Sequence, residues 1–119
     1  MKRLSKKEEI IMELFWTHGH MTVNEMRELF PEPKPHVNTL STQIRLLEKH
    51  GYIDHEKEGT GFRYYALVSR EEYSSNTIGN IVSKCFANSY IEAVSALVRD
   101  EKISVDELEE LIRKIESEK

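Results

Sequence analysis

A chain of 119 residues, 39% of them apolar, fits one globular domain or two small ones with a modest core. No apolar run approaches membrane length, which excludes a spanning segment, and the lone Cys85 excludes an intrachain disulfide or a cluster of thiol ligands. The net charge of −4 argues against a nucleic-acid partner until it is divided along the chain. Residues 1–70 hold 11 Lys/Arg against 10 Asp/Glu, a net of +1, and residues 71–119 hold 6 against 11, a net of −5. The acid is in the tail half, which leaves room for a locally basic surface on the first. The opening "MKRLSKKEEI" has the basic start of a signal peptide, but Glu13 and Thr17 break the apolar stretch that follows. The chain reads as cytoplasmic, with no membrane insertion, and Cys85 as a packed core thiol.

Helix starts are marked by S/T-x-x-E capping boxes at Ser5 with Glu8, Thr22 with Glu25, Ser69 with Glu72 and Ser104 with Glu107. In each, the hydroxyl takes an orphan amide of the first turn and the glutamate reaches back to the cap. The first box opens a helix to about His18 that turns Ile11, Leu14 and Phe15 inward and ends at Gly19. The second opens a short helix carrying Val23, Met26, Leu29 and Phe30, stopped by the prolines of "PEPKP".

The third helix, in "HVNTLSTQIRLLEKHGYI" and closed by Gly51, has two stripes. Val37, Leu40, Ile44 and Leu47 fall within an arc of about 80° at 100° per residue. Asn38, Thr42, Arg45 and Lys49 line the opposite side. A face meant only for solvent mixes Glu and Lys, whereas this one carries hydroxyls, an amide and two cations, groups that suit base edges and phosphates. A solvated face that happens to lack acids is the alternative. Leu46 interrupts the polar side near Thr39 and Thr42; it either meets a thymine methyl in the major groove or packs under a neighbouring element.

After Gly51 the period changes to two. "YIDHEK" and "FRYYAL" flank "EGTG", a β-hairpin with glycines at its tip, and Lys57 and Arg63 beside that tip lie either on a sugar-phosphate backbone or in solvent. Helix, helix, helix, hairpin is the order of a winged helix-turn-helix.

From Ser74 on, apolar residues recur at helical spacing: Ile78, Ile81, Val82, Cys85 and Phe86, then Tyr90, Ile91, Val94, Leu97 and Val98, then Val105, Leu108, Leu111, Ile112 and Ile115. Three such helices in so short a stretch cannot all cover one another. Either a second copy of the chain supplies the facing surface, or the helices fold back on their own winged helix.

Five histidines invite a metal reading, yet the neighbours His18 and His20 have no Cys, Asp or third His at ligand spacing. Ser41 and Thr42 have no His and carboxylate arranged around them, and no glycine-rich phosphate loop is present. The residues therefore point to no metal, no cofactor and no enzyme activity.

"NTLSTQIRLLEKHGYIDHEKEGTGFRYYAL" resembles the "NTVST-x2-R-x-LE-x-KG" recognition helix and "Y-x-Y" wing of the BlaI/MecI/CopY penicillinase-repressor family, and "LSKKEEIIMELFW" resembles its first helix. The resemblance implies a winged-helix repressor that dimerises through C-terminal helices and binds inverted-repeat operators. The Cys-x-Cys tail of the copper-responsive branch is missing. In the β-lactam branch a membrane sensor protease cuts an Asn-Phe bond, which the resemblance aligns with Ala96 and Leu97.

The expectation is a mainly α chain with a small β-hairpin wing (α+β): a winged-helix DNA-binding domain over 1–70 and a helical dimerisation domain over 71–119. Asn38, Thr39, Ser41, Thr42, Arg45 and Leu46 are expected nearest double-stranded operator DNA, with Lys49, Lys57 and Arg63 on the backbone. The dimer is expected to rest on Ile78, Ile81, Val82, Phe86, Ile91, Val94, Leu97, Val98, Leu108, Leu111, Ile112 and Ile115. A winged helix that binds protein, or a regulator gated by a ligand between its domains, are the rival readings.

Overall fold

The computed structural model describes residues 2–118. Helices α1 (Lys6–His18), α2 (Val23–Glu28) and α3 (Val37–Lys49) precede strands β1 (Ile53–Glu58) and β2 (Gly61–Ala66), and helices α4 (Arg70–Cys85), α5 (Tyr90–Arg99) and α6 (Val105–Glu118) follow. The chain is mainly helical with one small antiparallel wing. It divides into two compact units, the first running to Asn76 and the second starting at Thr77. Among the described residues no helix is long and apolar enough to cross a membrane.

All four capping boxes form. Ser5 Oγ accepts the Glu8 N–H while the Ser5 N–H reaches Glu8 Oε1, and the same reciprocal pair occurs at Thr22 and Glu25, Ser69 and Glu72, and Ser104 and Glu107. A further cap that sequence reading passed over opens α5, where Ser89 Oγ accepts the Glu92 N–H at 3.1 Å. Each is worth about 1 kcal/mol to its helix. The proline segment has its own closure: Lys34 Nζ donates to the carbonyls of Glu28 and Phe30, orphans of the end of α2, and Arg27 Nε donates to Pro35 O at 2.8 Å.

Helix α3 ends as its glycine demands. Gly51 takes a φ of +83°, its N–H bonds Glu48 O, and the Tyr52 N–H bonds Leu47 O, each at 3.0 Å. This paired closure returns the chain sharply toward β1 and buries Leu47 and Tyr52. The hairpin turns through Gly59 and Thr60, with Glu58 opposite Gly61 and Ile53 opposite Ala66. Met21, between α1 and α2, adds a bridge to Tyr64 through bonds of 3.0 and 2.9 Å, so the wing is tied to the helices at its base.

The core of the first unit joins Ile11, Met12 and Phe15 of α1, Met26 of α2, and Leu40, Ile44 and Leu47 of α3 to Tyr52, Ile53 and Tyr64 of the wing. The first turn of α4 belongs to the same core. Tyr73 is buried and its hydroxyl accepts the Leu4 N–H, while Trp16 Nε1 donates to Val68 O at 2.9 Å. Val37, expected on the buried arc, is instead 36% exposed, because as the first helical residue it lines an open groove with Thr22, Val23, Ser41 and Phe62. Cys85, expected in a core, is exposed. The physical reason is the smallness of the second unit, where Val82 is the buried hydrophobic residue and the other stripe positions stay open or partly open.

Tyr52 is 1% exposed and its hydroxyl has no hydrogen-bond partner. Burial pushes its pKa above the ordinary tyrosine value. An unmade bond in the interior costs more than a missing hydroxyl, so Tyr52→Phe should leave stability unchanged or raise it by about 1 kcal/mol. Urea unfolding checks this, and a loss of that size would mean that the hydroxyl is bonded in solution.

Candidate nucleic-acid interface

The polar stripe of α3 is laid open by the packing of the opposite face. Asn38, Thr39, Thr42, Arg45 and Lys49 are exposed and Ser41 is half-buried. Thr42, Arg45, Leu46 and Lys49 line one shallow depression. Leu46 is 45% exposed there, so it is not buried beneath the wing. Two side chains are steadied by the helix itself: Thr42 Oγ1 donates to Asn38 O at 2.9 Å, and Arg45 Nε donates to Ser41 O at 3.2 Å. The helix starts at His36, whose Nδ1 accepts the Asn38 N–H, and no acid occupies its first turn. No carboxylate of its own first turn therefore compensates the positive end of the helix dipole.

The wing contributes unequally. Lys57 is exposed on β1 opposite Phe62, itself 47% exposed and overlooked by a sequence reading that looked for cations beside the turn. Arg63 is engaged within the first unit. It holds both oxygens of Glu58 at 3.0 Å, Glu25 at 2.8 Å and the His20 carbonyl at 3.2 Å. The bond to Glu58, followed by that to Glu25, holds the guanidinium pKa well above its ordinary value. Glu25 moves below the usual carboxylate value, first through the backbone bond from Thr22 and then through Arg63. Arg63 thus joins the wing to the cap of α2.

In the second unit, Val82 is buried within its own chain, Phe86, Val98 and Leu108 are half-buried, and Ile78, Ile81, Ile91, Val94, Leu97, Leu111, Ile112 and Ile115 are exposed. Ile91, Val94 and Val98 of α5 line a groove together with Leu108 of α6. Ala96 and Leu97 lie inside α5, half-buried and exposed respectively.

Comparison with known proteins agrees with the winged-helix fold. The penicillinase repressor family matches residues 4–117. The chain belongs to that family. It is therefore a DNA-binding transcriptional repressor, and not an enzyme. The methicillin resistance regulatory protein MecI of Staphylococcus aureus (strain N315) is 31% identical over 91% of this chain and 89% of its own length. The penicillinase repressor of Bacillus licheniformis is 24% identical over 98% of this chain and 92% of its own. A solved structure described as a possible transcriptional regulator for arsenical resistance superposes with a TM-score of 0.50 at 17% identity, covering 71% of this chain and 88% of that one; it supports the fold alone.

Proposed function

We propose that the protein is a homodimeric cytoplasmic repressor of inverted-repeat operators, with the DNA-binding part in 1–70 and the dimerising part in 71–119. The observation that carries this reading is the exposed face of α3, on which Thr42, Arg45 and Lys49 stand together beside an exposed leucine. In the major groove, Asn38, Thr39, Ser41, Thr42 and Arg45 meet base edges or phosphates, and Leu46 meets a thymine methyl. Lys49 and Lys57 take the backbone; Arg63 reaches it only by giving up part of its bonding to Glu58 and Glu25.

Footprinting on the DNA upstream of the protein's own reading frame locates the operator. With that site in hand, Arg45→Ala should weaken specific binding by about 1 to 3 kcal/mol if the guanidinium reads a guanine. Lys49→Ala should weaken all sequences alike and lower the salt slope by about 1, the signature of one lost phosphate contact. Parent-like affinity in both variants, measured by fluorescence anisotropy over a salt series, would overturn the placement of α3 in the groove.

Release of the operator by a membrane sensor protease is the mode of induction that fits the family. The Ala96–Leu97 bond lies within α5, so a protease acting there needs α5 to open first. Cleavage would separate the last turn of α5 and all of α6 from the remainder of the tail and leave α3 intact.

A further inference from the structure

Glu48 on α3 and the neighbours Asp54 and His55 on β1 bring two carboxylate oxygens and one imidazole nitrogen within 4.8 Å of one another. His55 Nδ1 is in direct contact with Glu48 Oε2 and lies 3.9 Å from Asp54 Oδ1. The Asp54 carboxylate is held in place by the His55 backbone N–H at 2.8 Å. The imidazole is oriented in turn by the edge of Phe62 at 4.7 Å and by Tyr64 at 5.8 Å between ring centroids. The donors are reachable from solvent, with side-chain exposures of 26% for Glu48, 50% for Asp54 and 38% for His55.

We propose that Glu48, Asp54 and His55 form a binding site for a divalent transition-metal cation such as zinc, which ties the wing to the recognition helix. One nitrogen and two anionic oxygens are a donor set that zinc accepts with a water in the fourth position. In a tetrahedral site with bonds of about 2.0 to 2.2 Å, ligand atoms stand roughly 3.3 to 3.6 Å apart. A bound cation requires the three donors, which lie within 4.8 Å of one another, to adjust to that spacing. With a neutral imidazole the cluster carries two negative charges, so a divalent cation neutralises it. Proximity in sequence alone does not reveal the site, because Glu48 and His55 meet only when the turn at Gly51 folds β1 back on α3.

The functional consequence rests on the repressor reading of α3. Glu48 is adjacent in sequence to Lys49, and an uncompensated pair of carboxylates there opposes the approach of phosphates. A bound cation removes that opposition and fixes the wing against the helix, so metal and operator should bind cooperatively.

Calorimetric titration of zinc chloride into the full chain tests the site, with zinc alone as the probe. One saturable site per chain is expected, weakened about tenfold or more by Glu48→Gln, by Asp54→Asn and by His55→Ala. It should be unchanged by His20→Ala, which removes an exposed imidazole paired with Glu56. Circular dichroism confirms that each variant is folded. No saturable binding, or binding that survives all three ligand substitutions, overturns the site. Operator affinity measured with zinc and with a chelator should differ in the parent and coincide in His55→Ala; equal affinity in the parent overturns the coupling. A chain that binds zinc at this cluster but no DNA under either condition would overturn the repressor reading and leave the metal site standing.

Discussion

Ile112→Asp combined with Ile115→Asp should turn the proposed dimer into a monomer and lower operator affinity by about 10²- to 10⁴-fold, the range by which linking two binding modules exceeds one. Both side chains lie on α6, at 48% and 45% exposure in the single chain. Carboxylates there therefore cost the monomer little, whereas in an interface each would be desolvated without a partner. Sedimentation velocity reads the mass, and a gel shift with a whole operator and with a half-site reads the affinity. The half-site complex should be unaffected, because α3 is untouched. A parent that sediments as a monomer at micromolar concentration, or a double variant that remains dimeric, removes the interface from this surface. Point variants serve better than removal of the tail, since cutting before α4 would take Tyr73 from the core of the first unit.

Leu47→Ala should cost about 2 to 5 kcal/mol, while Leu46→Ala, one residue away, should stay within about 0.5 kcal/mol. Leu47 is 0% exposed among Ile11, Leu40, Ile44 and Tyr52, so truncation leaves a cavity in the interior. Leu46 is 45% exposed and loses little burial. Against a total of about 5 to 15 kcal/mol for a small domain, the first change removes a large share of the stability and lowers the melting temperature without touching the polar stripe of α3. The second should leave the melting curve in place and reduce affinity only for operators with a thymine at the position it meets. Thermal melts and operator titrations on the two variants separate the roles of adjacent leucines. Equal destabilisation by both would show that Leu46 is buried in the folded protein in solution.

The elements were legible where their causes are local. A hydroxyl and a glutamate three residues apart meet within a single turn whatever the rest of the chain does, so Ser5, Thr22, Ser69 and Ser104 announced their helices, and Ser89 with Glu92 offered the same pattern to a closer reading. The two stripes of α3 and the change of period after Gly51 were equally readable, since side-chain direction follows from backbone geometry. The position of Arg63 was not. As a cation beside a turn it looked available to phosphate, but Glu25, 38 residues earlier, bonds it once Met21 draws the wing against the α1–α2 junction.

Cys85 and Val82 share one apolar stripe, yet one is exposed and the other buried. Periodicity tells which side chains share a face, and not which of them a neighbour reaches. The sequence by itself determined the order of helices and hairpin, the helix ends and the polar face of α3, because these depend on contacts within a few residues. Only the tertiary structure decided that Arg63 is held, that Leu46 is open and that Glu48, Asp54 and His55 converge, because each depends on segments brought together by burial of a common core.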